Sequence, residues 1–209
     1  MRWPLVDLSL ARNPRFTILV IAGTISNVAY GVTIFVSTLY LQQVRGLDPL
    51  MAGLAFLGPS AGAALGGAIS GRLAASRPPV LVMGLTSVVA ALSLAALAVS
   101  SSWVSYLAAL TACGFTLGLV YAFTTVATQA VVRPDRAGEA AGVTLTALVT
   151  LAGVGVAVSG TVLEMLQRAG TSTAGAVDAI VAVLAALLLP AGVVVLWIAR
   201  ASTESARSR

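Results

Sequence analysis

One segment of this chain has the look of reactive chemistry: Gly58-Pro59-Ser60-Ala61-Gly62 fits the G-x-S-x-G arrangement that presents a nucleophilic serine on a sharp turn. A serine needs a neighbouring base to take its proton, and histidine is the usual one. The chain has neither His nor Lys, so Ser60 has no such partner. Lack of His, with the single Cys113, also leaves no ordinary zinc or haem ligand set and no internal disulfide. There is no Walker-type phosphate loop. The acids sit where structure asks for them. Asp48 precedes Pro49 as an N-cap, Glu139 opens a helix where the dipole favours an acid, and Glu164 stands four residues before Arg168. The expectation is no enzyme, no cofactor, no metal and no evident proton-carrying carboxylate.

What remains is neutral polarity at helical spacing. Residues on one helix face recur every three or four positions. Ser26, Tyr30, Thr33, Ser37 and Tyr40 keep that rhythm, with Asn27 beside them, and so do Gly114, Gly118, Tyr121, Thr125 and Thr128. Thr146, Thr150 and Gly153 form a shorter stripe, and Gly58, Gly62, Gly66 and Gly67 another. Small residues at such spacing let helices approach closely, so packing is as good a reading as a cavity for the Ser, Thr and Gly positions. The glycines Gly58, Gly62, Gly66, Gly114 and Gly118 are assigned to packing. Asn27, Tyr30 and Tyr121 favour a cavity. Large polar groups facing lipid are costly, and at a tight interface they defeat close approach.

The elements that carry these stripes are membrane helices. Hydrophobic residues make up 58% of the chain and charged residues 9%, against about 25% charged in a soluble domain. Residues 78–132 contain no charge at all, more than twice the length of one bilayer crossing, about 20 residues. Backbone groups in lipid must pair internally, which makes the apolar runs helices, and they lack the period-two alternation of a β-barrel. Six helices are predicted: 16–44, 49–73, 79–99, 103–132, 139–163 and 179–199. The break at Ser100-Ser101-Ser102 separates the third from the fourth. Residues 1–15 read as a lead-in rather than a signal peptide, and 200–209 as a tail.

All twelve basic residues are Arg, and ten lie in the two tails and the loops at Arg72/Arg77 and Arg133/Arg136. Arg45 and Arg168 are alone on the other side. This bias places both termini in the cytoplasm and argues against dual topology. It gives the positive charge a topological role rather than one in nucleic-acid binding. The Ala/Gly/Val and Arg-only composition points to a bacterial, GC-rich source and the cytoplasmic membrane. The third and sixth helices have few polar groups and read as lipid-facing supports, a three-plus-three pattern.

The chain resembles the C-terminal half of a major facilitator superfamily transporter, in the fourteen-helix drug:proton antiporter branch. Leu39-Tyr-Leu-Gln-Gln-Val-Arg-Gly46, with Pro49 and Ala52-Gly-Leu-Ala-Phe-Leu57, is similar to that branch's first loop and following helix. Gly71-Arg72-Leu-Ala-Ala-Ser-Arg77 resembles the family's cytoplasmic loop motif, with Ala75 where an acid is usual. Arg136-Ala-Gly-Glu-Ala-Ala-Gly142 through Gly153-Val-Gly155 and Ser159-Gly-Thr-Val162 resembles the penultimate helix. The resemblance implies an all-α six-helix bundle of two inverted three-helix repeats. It implies that Asn27, Tyr30, Thr33, Ser37, Tyr121, Thr125 and Thr146 line a cavity for small lipophilic or amphipathic compounds. A complete efflux transporter then needs a second six-helix half, as a homodimer or a partner chain, to supply proton coupling. The competing expectation is a non-transporting scaffold or regulatory subunit, or a truncated, inactive transporter.

Overall fold

A computed structural model of the chain describes residues 12–207, with the side chains of 202–207 left aside. The expected lead-in over 1–11 and the end of the tail lie outside the described residues. The described residues are helical without strands, and six helices are long and apolar enough to cross a membrane. They are Pro14–Val44, Pro49–Ser76, Pro79–Ala98, Trp103–Ala130, Pro134–Arg168 and Thr173–Ala201, the first to sixth helices below.

Local sequence fixes the ends. Asn13 caps the first helix by accepting from the Arg15 and Phe16 N–H groups, with Pro14 at the first helical position. Asp48 caps the second by accepting from Met51 N–H at 2.8 Å, as its place before Pro49 predicts. Ser102 and Ser105 form a reciprocal capping box at the start of the fourth. Gly46 and Gly170 follow the first and fifth helices with φ of 67° and 90°, a left-handed conformation that favours glycine. Arg136 and Glu139 pair at 3.0 Å where the fifth helix begins, and Arg168 pairs with Glu164 near its end.

The largest differences from the sequence expectation are in the second, fifth and sixth helices, and the fifth runs on to Arg168, five residues past its expected end. The second helix breaks at Phe56 into Pro49–Ala55 and Leu57–Ser76. The sixth begins at Thr173, six residues earlier than expected. Ser172 starts it by accepting from the Gly175 N–H through its hydroxyl and from the Ala176 N–H through its carbonyl. Asp178, expected in the preceding loop, therefore lies in the second turn of a membrane helix.

The packing repeats itself. The second helix packs on the fourth as the fifth packs on the first, and the third packs on the fourth as the sixth packs on the first. The third and sixth pack on each other, and so do the first and fourth. This pairing relates helices one to three with four to six, as the two-repeat reading expects. Close contacts are made where glycine removes the side chain. A Cβ at Gly62 would stand 2.9 Å from the Thr111 carbonyl oxygen, and one at Gly66 2.8 Å from that of Phe115. On the facing helix, Gly114 lies against the Pro59 backbone and Gly118 against Ala63. Gly58 faces the Thr111 side chain in the same crossing. Gly84 and Gly192, which the sequence did not single out, do the same between the third and sixth helices.

The supports and the walls differ from the sequence picture. The third and sixth helices have one buried face each, carrying Met83, Ala90 and Leu94, and Val181 and Leu188. Their outer faces, with Leu85, Leu92, Val183 and Trp197, are exposed. The second and fifth helices are the least buried of the six. They flank a core made by the first and fourth.

Candidate functional site

The first, second and fourth helices enclose a groove of about 390 Å³ lined by Asn27, Tyr30, Ala63, Gly67, Leu117, Gly118, Tyr121 and Ala122. Three residues that the sequence favours as cavity groups thus meet in one place. Their meeting follows from the glycine crossing. Gly62 and Gly66 seat the second helix on the fourth, and the outward Gly67 leaves the floor of the groove open, with nothing within 4 Å of a Cβ there. Tyr121 presents its ring to the open side, 41% exposed. Asn27 and Tyr30 are half-buried on the first helix. The lining is mostly apolar, with one amide and two phenols, a surface suited to amphipathic molecules.

Asn27 also holds the frame. Its amide nitrogen donates to the Leu148 carbonyl at 2.8 Å, tying the first helix to the fifth across the bundle. That leaves the amide oxygen for other partners. Replacing Asn27 with alanine is expected to cost about 1 kcal/mol, the scale of one interhelical hydrogen bond in a membrane bundle. Reversible unfolding in bicelles measures this cost, and a loss above about 3 kcal/mol would show that Asn27 is chiefly a structural brace.

The other expected lining residues are placed elsewhere. Thr33 and Ser37 are 3% and 0% exposed, inside the bundle rather than on the groove. The first helix is central, so its polar stripe meets other helices over most of its length. Thr125 is half-buried one turn beyond Tyr121 and does not border the groove. Thr146 is exposed on the fifth helix, in a separate shallow surface with Gly138, Gly142 and Thr150. Thr144 instead turns inward and donates to the Thr128 hydroxyl at 3.2 Å, joining the fifth and fourth helices. Ser60 is exposed on its helix with no base near it, so the G-x-S-x-G segment is packing sequence. At the arginine-rich end Gly71, Arg72 and Arg77 are exposed, and neither arginine makes an ion pair among the described residues. Ala75 explains this: the acid usual in that motif is absent.

A comparison with known families matches residues 4–156, most of the chain, to the Major Facilitator Superfamily. The chain belongs to that superfamily. No curated protein matches it. The match runs through the first four helices and into the fifth, so it includes every residue of the groove, and the sixth helix lies beyond it. As a superfamily member, the chain is a multi-pass membrane protein of a transporter family.

Proposed function

We propose that this chain is one half of an efflux transporter for small lipophilic or amphipathic compounds, of the drug:proton antiporter branch and equivalent to the C-terminal half. The supporting observation is the groove. A mid-membrane amide and two phenols stand on an open face of the bundle, where facing lipid would be costly. A second half, as a homodimer or a separate chain, covers that face about an axis along the membrane normal and closes the groove into a cavity. The ten-to-two arginine bias supports cytoplasmic termini, and the Ala/Gly/Val-rich, Arg-only composition supports a bacterial source.

The test is purified protein in proteoliposomes with an imposed pH gradient, followed with a lipophilic cationic dye, alongside its oligomeric state in nanodiscs. Gradient-driven dye movement by a dimer or two-chain complex supports the reading. A monomer that neither binds nor moves any amphipathic probe sinks it. The scaffold reading draws on Arg72 and Arg77, which make no ion pair among the described residues, since that loop lacks the acid of the family motif. Cysteine pairs across the groove separate the two, because a transporter crosslinks in both inward- and outward-open states and a scaffold in one.

A further inference from the structure

The sixth helix packs more extensively on the third than on the first. Gly84 and Gly192 set that preference, and a Cβ at Gly192 would stand 3.0 Å from the Val88 backbone nitrogen. Pro190, two residues earlier, cannot donate to the carbonyl four residues back, and its ring crowds that turn. Drawn toward the third helix, the sixth leaves a groove of about 360 Å³ beside the first. Ile18, Ile21 and Ile25 form one wall, and Leu187, Pro190 and Val194 the other. No polar side chain lines it.

The groove belongs to one leaflet. Ile18 to Ile25 spans about 10 Å of helix at 1.5 Å per residue, less than half of a hydrocarbon core of about 30 Å. Ile21, Leu187 and Val194 are each about half exposed, so it opens on the bilayer. One turn beyond Ile25 the fifth helix closes on the first, with Gly155 against Val28. The other end lies at the arginine-rich side. Arg15 is exposed three residues before Ile18, on the same flank of the first helix. It makes no ion pair among the described residues, whereas Arg133 and Arg136 at that side pair with Asp135 and Glu139. The first turn carries no acid, and its N–H end adds to the positive field. Trp197 stands exposed three residues past Val194, and indole rings favour headgroup depth.

We propose that this groove seats one acyl chain of an anionic phospholipid, with the lipid phosphate at Arg15. The apolar walls accept any acyl chain, and the arginine selects the headgroup. Basic residues at the cytoplasmic face attract anionic lipids, and basic pockets between membrane helices on that side bind their headgroups. A helix of a second chain needs a seam that runs the whole span, and this groove is too short for one. The site lies outside the substrate groove, which the first helix shares with the second and fourth, and does not depend on what the chain transports.

Native mass spectrometry of the whole chain tests this, after delipidation in detergent and titration with phosphatidylglycerol or phosphatidylethanolamine. The unaltered protein should retain one phosphatidylglycerol about fivefold more tightly, the scale of one arginine near a charged headgroup. Arg15→Gln should erase that preference. Val194→Trp, at an exposed position, should obstruct the mouth and weaken both lipids. Arg72→Gln removes the same charge at the same side, but on the second helix across the bundle, and should bind as the unaltered protein does. Equal retention of the two lipids by the unaltered protein overturns the proposal. So does unchanged binding in Val194→Trp, or an equal loss of preference in Arg15→Gln and Arg72→Gln, which would mean that the arginine-rich side attracts anionic lipid as a whole.

Discussion

Substituting Gly114 with valine is expected to destabilise the six-helix bundle by about 3 kcal/mol, the upper range for overpacking a well-filled core. The reason lies in what the new atoms would meet. A Cβ at this position falls on the backbone of Pro59, which cannot rotate aside as a side chain would. The second and fourth helices must then separate, and the neighbouring approaches at Gly62, Gly66 and Gly118 are lost together. Gly66→Val should act similarly, since its Cβ would stand 2.8 Å from the Phe115 carbonyl. Gly71→Ala, on the same second helix with nothing within 4 Å, should change stability by less than about 1 kcal/mol. Unfolding in bicelles followed by tryptophan fluorescence compares the three. Equal effects at Gly114 and Gly71 would mean that this crossing does not hold the bundle together.

The glycine crossings show what a single sequence reveals about a membrane fold. Small-residue spacing picked out Gly58, Gly62, Gly66, Gly114 and Gly118, all of which stand at one crossing. Gly84 and Gly192 escaped notice because each is the lone glycine of its stretch, with no small partner four residues away. Helix ends were legible where chemistry marks them, at Asp48-Pro49 and the serines at 100–102, whereas the Glu164–Arg168 pair lies within the fifth helix, which runs five residues past its expected end. The start of the sixth helix was not. Thr171-Ser172-Thr173-Ala174-Gly175 reads as a polar loop, and only the Ser172 cap turns it into a first turn. That hid Asp178 inside the membrane span.

The polar stripes were legible as faces but not as destinations. Periodicity groups Ser26, Tyr30, Thr33 and Ser37 together because they share one side of a helix. It carries no information about which neighbour that side meets. The first helix contacts the fourth, fifth and sixth, so Ser26, Thr33 and Ser37 are buried in the bundle while Tyr30 and the off-stripe Asn27 reach the groove. Size gave the better signal. Bulky polar residues were harder to reconcile with close packing than hydroxyls; Asn27, Tyr30 and Tyr121 border the same opening, while Tyr40 of the same stripe is buried against Tyr106.

The largest expected effect on ligand recognition is at Tyr121. The ring stands at the open edge of the groove, on the fourth helix opposite Asn27 and Tyr30, where an amphipathic compound would slide between it and the first helix. A tyrosine ring that covers about 80 Å² of a bound ligand contributes roughly 2 kcal/mol at ~25 cal/mol per Å². Tyr121→Ala should therefore weaken binding of a lipophilic cationic dye about thirtyfold, measured by fluorescence polarisation in nanodiscs. Tyr121→Phe keeps the ring and loses only the hydroxyl, so a few-fold loss is expected. Leu187→Ala, on the outer face of the sixth helix and 53% exposed, should bind as wild type. The bundle should tolerate Tyr121→Ala, because the side chain is largely outside the core, and an unchanged unfolding midpoint will show that the loss is one of contact. If Tyr121→Ala binds the dye as tightly as the unaltered protein, the ligand sits elsewhere. The exposed surface of the fifth helix around Thr146 would then be the next place to look.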